Sequence, residues 1–244
     1  MGFLDAEGNF QVFPKKRVNA KGEITHYGVG YHFHIGLSQR DAKLLEFIKL
    51  QFQGIGKIYP YPHKEEAHYA ISRKDDVKWL MDHILEQHAL LTIHQSSRYN
   101  QLRNGMINNA VRFESIEEFR AYFECFVLAT QPLTTNIPQE LLDAWIVGFI
   151  NGEGCFSHAR GETGARFTIE HTDRGVLLMI KERLNVEPNV NTRPSRAGRK
   201  ISYVLEFSTA VDLNKLIRFL DNNTPLQGYK LSQYNYWRSN ALIR

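Results

Sequence analysis

The sequence predicts an α+β fold of two pseudo-symmetric αββαββα lobes, each built on a four-stranded antiparallel sheet. Three observations predict it. One pattern, Gly-Phe-Leu/Ile-Asp/Asn-small-Glu-Gly-x-Phe, occurs at Gly2 to Phe10 and again at Gly148 to Phe156. The same order of alternating and helical segments follows each copy. The copies lie 146 residues apart at Glu7 and Glu153 but 134 apart at Ser38 and Thr172, so the first half has the longer opening hairpin. A period this long means a duplicated lobe, not a solenoid. The lobes are expected at 1–112 and 138–244, with 113–137 as a linker containing a helix.

Leu141 to Ile150 is apolar on nearly every side, which predicts a helix buried all round. Gly148 interrupts it at a cost of roughly 1 kcal/mol against alanine, and a second helix backbone packing very close would offset that. Gly2 is the matching residue. After the first copy, Asn9 to Arg17 and Tyr31 to Leu37 alternate and read as strands around a turn at Asn19 to Gly22. Ser38 to Asp41 outlines a capping box for a helix from Ala42 to Gln53. A hairpin at Lys57 to Tyr61 and Ala67 to Arg73 precedes a helix from Asp75 to His88, and Ser97 to Asn104 closes the lobe. Ser115 to Thr130 reads as a helix and 131–138 as an extended linker, with Pro138 opening the second motif helix. The second lobe repeats the order with strands at Cys155 to Ala159 and Ala165 to His171 and a helix at Asp173 to Leu184. A hairpin at Asn189 to Arg193 and Ile201 to Phe207, and helices at Val211 to Asp221 and Ser232 to Arg238, complete it.

Composition narrows the class. The 244 residues are 43% hydrophobic, enough for full cores, and no apolar run reaches the length of a membrane span, so the chain reads as soluble and not secreted. Two cysteines, Cys125 and Cys155, are too few for a disulfide framework and are expected as reduced core thiols. A net charge of +4 favours an anionic partner weakly. Location says more, because Pro14 to Arg17 and Arg193 to Lys200 are basic clusters at corresponding stages of the two halves.

Each motif acid falls at a helix C-terminus, where the macrodipole disfavours a carboxylate and a cation would remove the conflict. If the two copies pack as a pair, both acids join the last helical carbonyls in a cluster of oxygens of the kind that binds Mg²⁺ or Ca²⁺. Helices covering one face of each sheet leave the other face open, and a β-ribbon fits the major groove of B-DNA. With Phe10, Phe33, Ile35, Tyr69 and Ile71 turned inward, the outward set is Asn9, Gln11, Lys15, Arg17, His32, His34, His68 and Ser72. In the second lobe it is Ser157, Arg166, Thr168, Glu170, Asn191, Arg193, Ser202 and Glu206, with Lys200 at the tip. Side chains of these types read base edges or hold phosphates.

These motifs resemble those of the LAGLIDADG homing endonucleases in their single-chain, two-motif form. The motif's first Gly, penultimate acid and last Gly fall on Gly2, Glu7 and Gly8 and on Gly148, Glu153 and Gly154. The sixth position, usually Asp, is Asp5 and then Asn151. The resemblance covers nearly the whole chain. It implies a DNA-binding saddle and a site-specific double-strand DNA endonuclease acting as a monomer, with Mg²⁺ or Mn²⁺ as cofactor and Ca²⁺ as a non-catalytic substitute. The metal ligands would be Glu7 and Glu153 with the carbonyls of Ala6 and Gly152. The family's basic residue lies in a Leu-x-Gly/Thr-x-Lys segment, here Leu226 to Lys230. The first-lobe counterpart lacks Lys: His94 fits by spacing from Thr92 and Gln95 by spacing from Tyr99, which makes the first site the weaker. A position that helps order water is His171 in the second lobe and Leu37 in the first. The first motif helix would extend roughly 8 residues before Gly2, at 3.6 residues per turn. Its shortness would partly expose Trp145 to Ile150 and puts activity in question. The resemblance also implies an intron-encoded protein of mitochondrion or plastid. The rivals are a maturase that binds intron RNA without cutting DNA, and a decayed reading frame that folds poorly.

Overall fold

The computed structural model describes residues 1–128, 137–158, 164–194 and 200–241. The chain divides into two compact units, Glu7–Pro132 and Met1–Ala6 together with Leu133–Arg244. Helix α1 (Gly2–Glu7) is thus counted, up to Ala6, with the second unit.

In the first unit, β1 (Gly8–Val18) and β2 (Ile24–Ser38) form a long antiparallel hairpin with Phe10 opposite Phe33 and Lys15 opposite Gly28. β2 begins seven residues earlier than its alternation predicts. Gly28 and Gly30 hide the period there, since a residue without a side chain marks neither face. Between β2 and α2 (Ala42–Gln51) the chain makes a 3₁₀ turn, Gln39–Asp41, and Ser38 makes no side-chain cap bond, so the capping box does not form. A 3₁₀ turn places its amides differently from a first α-turn, and the outline alone cannot tell them apart. Strands β3 (Lys57–Tyr61) and β4 (Glu66–Ile71) follow, then α3 (Lys74–Leu80), which continues as a π-helical turn, Met81–Leu85. α4 (Ile93–Ile107) is longer at both ends than predicted, and β5 (Arg112–Phe113) and α5 (Ile116–Glu124) finish the unit. The strand order is β1-β2-β4-β3, with β5 added beside β2 as a fifth strand. The core has Phe33, Ile35, Leu45, Tyr69 and Ile71 fully buried, and a satellite cluster of Phe113, Phe119 and Phe123 packs against Val12, Tyr27 and Val29 of the hairpin.

The second unit holds α6 (Gln139–Glu153), β6 (Gly154–His158), β7 (Ala165–His171), α7 (Arg174–Leu184), β8 (Asn191–Arg193), β9 (Ser202–Phe207), α8 (Ala210–Asp221) and α9 (Gly228–Ala241). Its sheet order, β6-β7-β9-β8, repeats that of the first unit's β1 to β4. Asp173 and Thr209 cap α7 and α8 through their side-chain oxygens. Phe167, Ile169, Leu205 and Phe207 pack under Val176, Ile180 and Leu216, all buried.

Two expectations are corrected here. Both cysteines are exposed free thiols, not core residues. In α6, Leu141 and Ala144 are exposed, whereas Trp145, Ile146, Val147, Phe149 and Ile150 are all buried despite the short α1. The predicted linker at 131–136 and Ala159 lie outside the described residues. Among the described residues, no helix is long and apolar enough to cross a membrane.

Candidate functional site

Within the second unit α1 and α6 meet backbone to backbone at their motif glycines. A Cβ on Gly2 would fall 1.7 Å from the Trp145 carbonyl oxygen, and one on Gly148 would fall 2.8 Å from the Phe3 nitrogen. Only glycine permits that approach, so the close helix contact expected from Gly148 is present. Beside it, Trp145 Nε1 donates to Asp5 Oδ2 at 3.1 Å, both residues buried. Asn151, at the equivalent motif position, is also buried and accepts the Gln227 amide at 2.6 Å. Each of these side chains serves as an oxygen acceptor, which is why Asp and Asn both suit the position.

Each motif helix passes directly into a strand: Glu7 ends α1 before Gly8 opens β1, and Glu153 ends α6 before Gly154 opens β6. Both acids are half-buried. The glycine carbonyl that follows each acid receives a side-chain donor from the unit's closing helix. In the second unit the donor is Lys230 Nζ, on to Gly154 O. In the first it is Gln95 Nε2, on to Gly8 O. Gln95 therefore holds the place that Lys230 holds, whereas His94, one residue and about 100° of helix away, is exposed. Thr92 fixes this register by capping α4, its Oγ1 accepting the Gln95 amide at 3.3 Å. Gln95 is buried, and its Oε1 has no hydrogen-bond partner among the described residues.

His171 is half-buried at the end of β7, its ring edge-on to Phe149 at 5.3 Å. Its Nδ1 accepts the Asp173 amide at 3.0 Å, which leaves Nε2 as the protonated nitrogen of the neutral ring. Burial pushes its pKa down, opposed by Asp173.

The outward sets behave differently on the two sheets. On the first, Gln11, Lys15, Arg17 and Ser72 are exposed and Asn9, His32, His34 and His68 half-buried. Arg98 from α4 donates to Asn9 Oδ1 at 2.9 Å, and His32 Nδ1 meets Gln11 Oε1 at 3.3 Å. His34 Nε2 lies 2.9 Å from His68 Nδ1, and His68 Nε2 lies 3.0 Å from Glu66 Oε2. Burial lowers the pKa of His32 and His34, and for His34 the neighbouring His68 and His32 add to the effect. On the second sheet the face pairs with itself. Glu170 joins Arg193 at 2.9 Å and accepts from Ser202 at 2.6 Å, and Arg166 lies 3.4 Å from Glu206. Ser157 and Thr168 are half-buried, and Asn191 and Lys200 exposed. Arg196 and Arg199 of the basic cluster lie outside the described residues.

Arg98, Asn151 and Glu66 are site neighbours that the sequence did not single out as functional. Asn151 had a signal in its motif position and Glu66 one in strand parity, two residues before His68, but the expected strand began at Ala67 and left it out; Arg98 had none, since only the folded chain brings it to Asn9.

Comparison with known proteins agrees with this architecture. The family model for the LAGLIDADG endonucleases matches residues 1–104 and 146–241. The chain is 24% identical over 250 residues to the probable intron-encoded endonuclease Cox1-I1b of Schizosaccharomyces pombe, spanning 97% of this chain and 62% of that protein. It is 25% identical to the probable intron-encoded endonuclease aI3 of Dictyostelium citrinum, spanning 98% of this chain and 92% of that one. The chain thus spans somewhat under two thirds of the Schizosaccharomyces relative. Among solved structures, the LAGLIDADG meganuclease I-CpaMI bound to uncleaved DNA matches with a TM-score of 0.74 at 21% identity, over 99% of this chain and 89% of that one. I-SmaMI bound to an uncleaved DNA target in the presence of calcium ions matches at 0.70 and 20% identity, over 99% and 89%. These likenesses show the fold.

Proposed function

Because the chain belongs to the LAGLIDADG endonuclease family, we propose that it is a site-specific, divalent-metal-dependent endonuclease that hydrolyses one phosphodiester bond in each strand of a DNA duplex. The observation that carries the reading is the matched pair of motif helices: they pack glycine to backbone, each ends in a glutamate, and each is followed by a glycine whose carbonyl a closing helix holds.

The donors at each motif fit a hard dication. They are oxygens only, the Glu7 carboxylate with the Ala6 carbonyl in the first motif and the Glu153 carboxylate with the Gly152 carbonyl in the second, and Gly152 lies in the last helical turn, where carbonyls run out of intrahelical donors. Among the described residues no three His, Cys, Asp or Glu side chains cluster as a metal site, so the rest of the coordination would fall to water and substrate phosphate. Mg²⁺ or Mn²⁺ is the working ion in this reading and Ca²⁺ a non-catalytic substitute. Such an ion would lower the pKa of a water and offset charge on the phosphate. Lys230 would stabilise the developing negative charge as a cation, and Gln95 would act as a neutral counterpart that can donate and accept. His171 Nε2–H is a donor that orders water near the second site. Lys15, Arg17, Arg193 and Lys200 would hold phosphates, and the outward strand residues would read bases.

The protein would act as a monomer on double-stranded DNA. An organellar intron origin, in mitochondrion or plastid, accompanies the reading and is supported by the intron-encoded relatives. The test is cleavage of a library of uninterrupted host genes with Mg²⁺. Specific double-strand cutting by the wild type, lost in Glu153→Gln with DNA binding retained, bears the reading out. Support of intron splicing by Glu153→Gln, with no cutting by the wild type, would replace it with an RNA-splicing role.

A further inference from the structure

On the open face of the first sheet, three side chains form a one-way chain of hydrogen bonds, from Glu66 through His68 to His34. A carboxylate can only accept, so His68 must carry its proton on Nε2 to meet Glu66. The neutral ring then leaves Nδ1 as an acceptor, and that acceptor requires His34 to carry its own proton on Nε2. His34 Nδ1 is left as a bare acceptor, and among the described residues it has no hydrogen-bond partner.

The surroundings hold the chain in place. Gly36 lies beside the two rings on the same face: a Cβ there would come 3.3 Å from His68 Cε1 and Nε2, tighter than most Cβ contacts, and 3.5 Å from His34 Nε2, an ordinary contact. The ring of Tyr61 packs on His68 at 4.7 Å, and His32 stacks on His34 at 5.9 Å with planes 18° apart.

We infer that Glu66 is a specificity-positioning residue: through His68 it fixes the tautomer of His34, so that His34 presents an acceptor to a base-edge amino group and disfavours base edges that offer only acceptors. In the major groove the amino donors are adenine N6 and cytosine N4, whereas guanine N7 and O6 and thymine O4 accept. The inference rests on the DNA reading of the preceding section, and its test separates the two.

The tautomers are read without DNA. Spectra of ¹⁵N-histidine-labelled protein at pH 8, above the range in which histidines titrate, should show His68 and His34 in the Nε2–H form. In Glu66→Gln, whose amide can donate as well as accept, His34 should become a mixture of tautomers. A His34 tautomer unmoved by Glu66→Gln overturns the relay. The second arm selects binding sites from a randomised duplex pool in Ca²⁺. His34→Ala should relax the preference at one base pair, and Glu66→Gln should relax it at the same pair by about 2- to 10-fold, the worth of one hydrogen bond. Uniformly tighter binding by Glu66→Gln, with base preference intact, would mean that only a negative charge had been removed and overturns the inference. A wild type that selects no duplex overturns the DNA reading and the base preference with it, while the spectra still decide the relay.

Discussion

The two units solve one problem with different parts. Each motif helix carries a glycine and ends in a glutamate, and the next glycine's carbonyl is held from a closing helix, by a neutral buried amide in the first unit and by an ammonium in the second. Their sheets differ in the same sense. The first keeps its basic residues at the hairpin tip and fills the middle of its face with histidines; the second pairs its arginines with glutamates across the strands. The duplicated chain has therefore kept the backbone geometry of the site and let the charge at it diverge. What the two halves share is the set of main-chain positions that hold an acid; in the proposed reading, what differs is how strongly each unit would support charge on one strand of the DNA.

The largest effect should come from the acids. Glu7→Gln and Glu153→Gln should each lower cleavage of one strand on the order of 10³-fold, the worth of several kcal/mol of charge stabilisation, while DNA binding persists. Strand-resolved cleavage of an end-labelled duplex in Mg²⁺, beside a gel-shift assay in Ca²⁺, checks this; equal loss on both strands from either single variant would break the comparison at its root.

Next come the glycines. Gly2→Ala drives a Cβ into the Trp145 carbonyl, and Gly148→Ala into Phe3. Overpacking of this kind costs about 1–3 kcal/mol. Gly2→Ala should lie at or above the top of that range, because backbone atoms on both sides must move. Urea denaturation of the two variants should give midpoints in the order wild type, Gly148→Ala, Gly2→Ala.

Exchange of the amide and the ammonium sharpens the comparison further. The wild type should cut the strand served by Lys230 faster than the one served by Gln95. Lys230→Gln should slow the fast strand about 10–100-fold, since a charged donor stabilises developing charge better than a neutral one. The signature is a nicked intermediate on supercoiled plasmid that accumulates in the wild type and falls in Lys230→Gln as the two strand rates converge. Strand rates that are equal in the wild type would show that the amide at Gln95 suffices.

Much of this was legible in the sequence, and the losses have physical reasons. The motif repeat, the order of elements and the inward-facing strand residues could be read because apolar periodicity and glycine placement are local signals. The choice between His94 and Gln95 could not be made, because one residue of helix register turns a side chain through about 100° and neither spacing fixes where α4 starts; the Thr92 cap does. Strand β5 was invisible because two residues pairing with Tyr27 and Gly28 carry no period. The exposed thiols were misread because composition says how often cysteine is buried and nothing about a particular helix end, as at Cys125, or strand face, as at Cys155.

The smallest predicted effect concerns pH and sets the units apart once more. His171 has a lowered pKa in the folded chain, so the folded state binds fewer protons than the unfolded one as pH falls past the ordinary histidine value of 6.5. Its contribution to stability is therefore present above that value and is lost on acidification, when a proton on Nδ1 would also break the bond from the Asp173 amide. Leu37 fills the corresponding position in the first unit and cannot titrate. His171→Leu should make the fall in melting temperature between pH 7.5 and pH 5.5 shallower; His32, His34 and the Met1 amino group, whose pKa values are also lowered, contribute to what remains. A fall just as steep in His171→Leu would show that His171 does not carry the acid sensitivity.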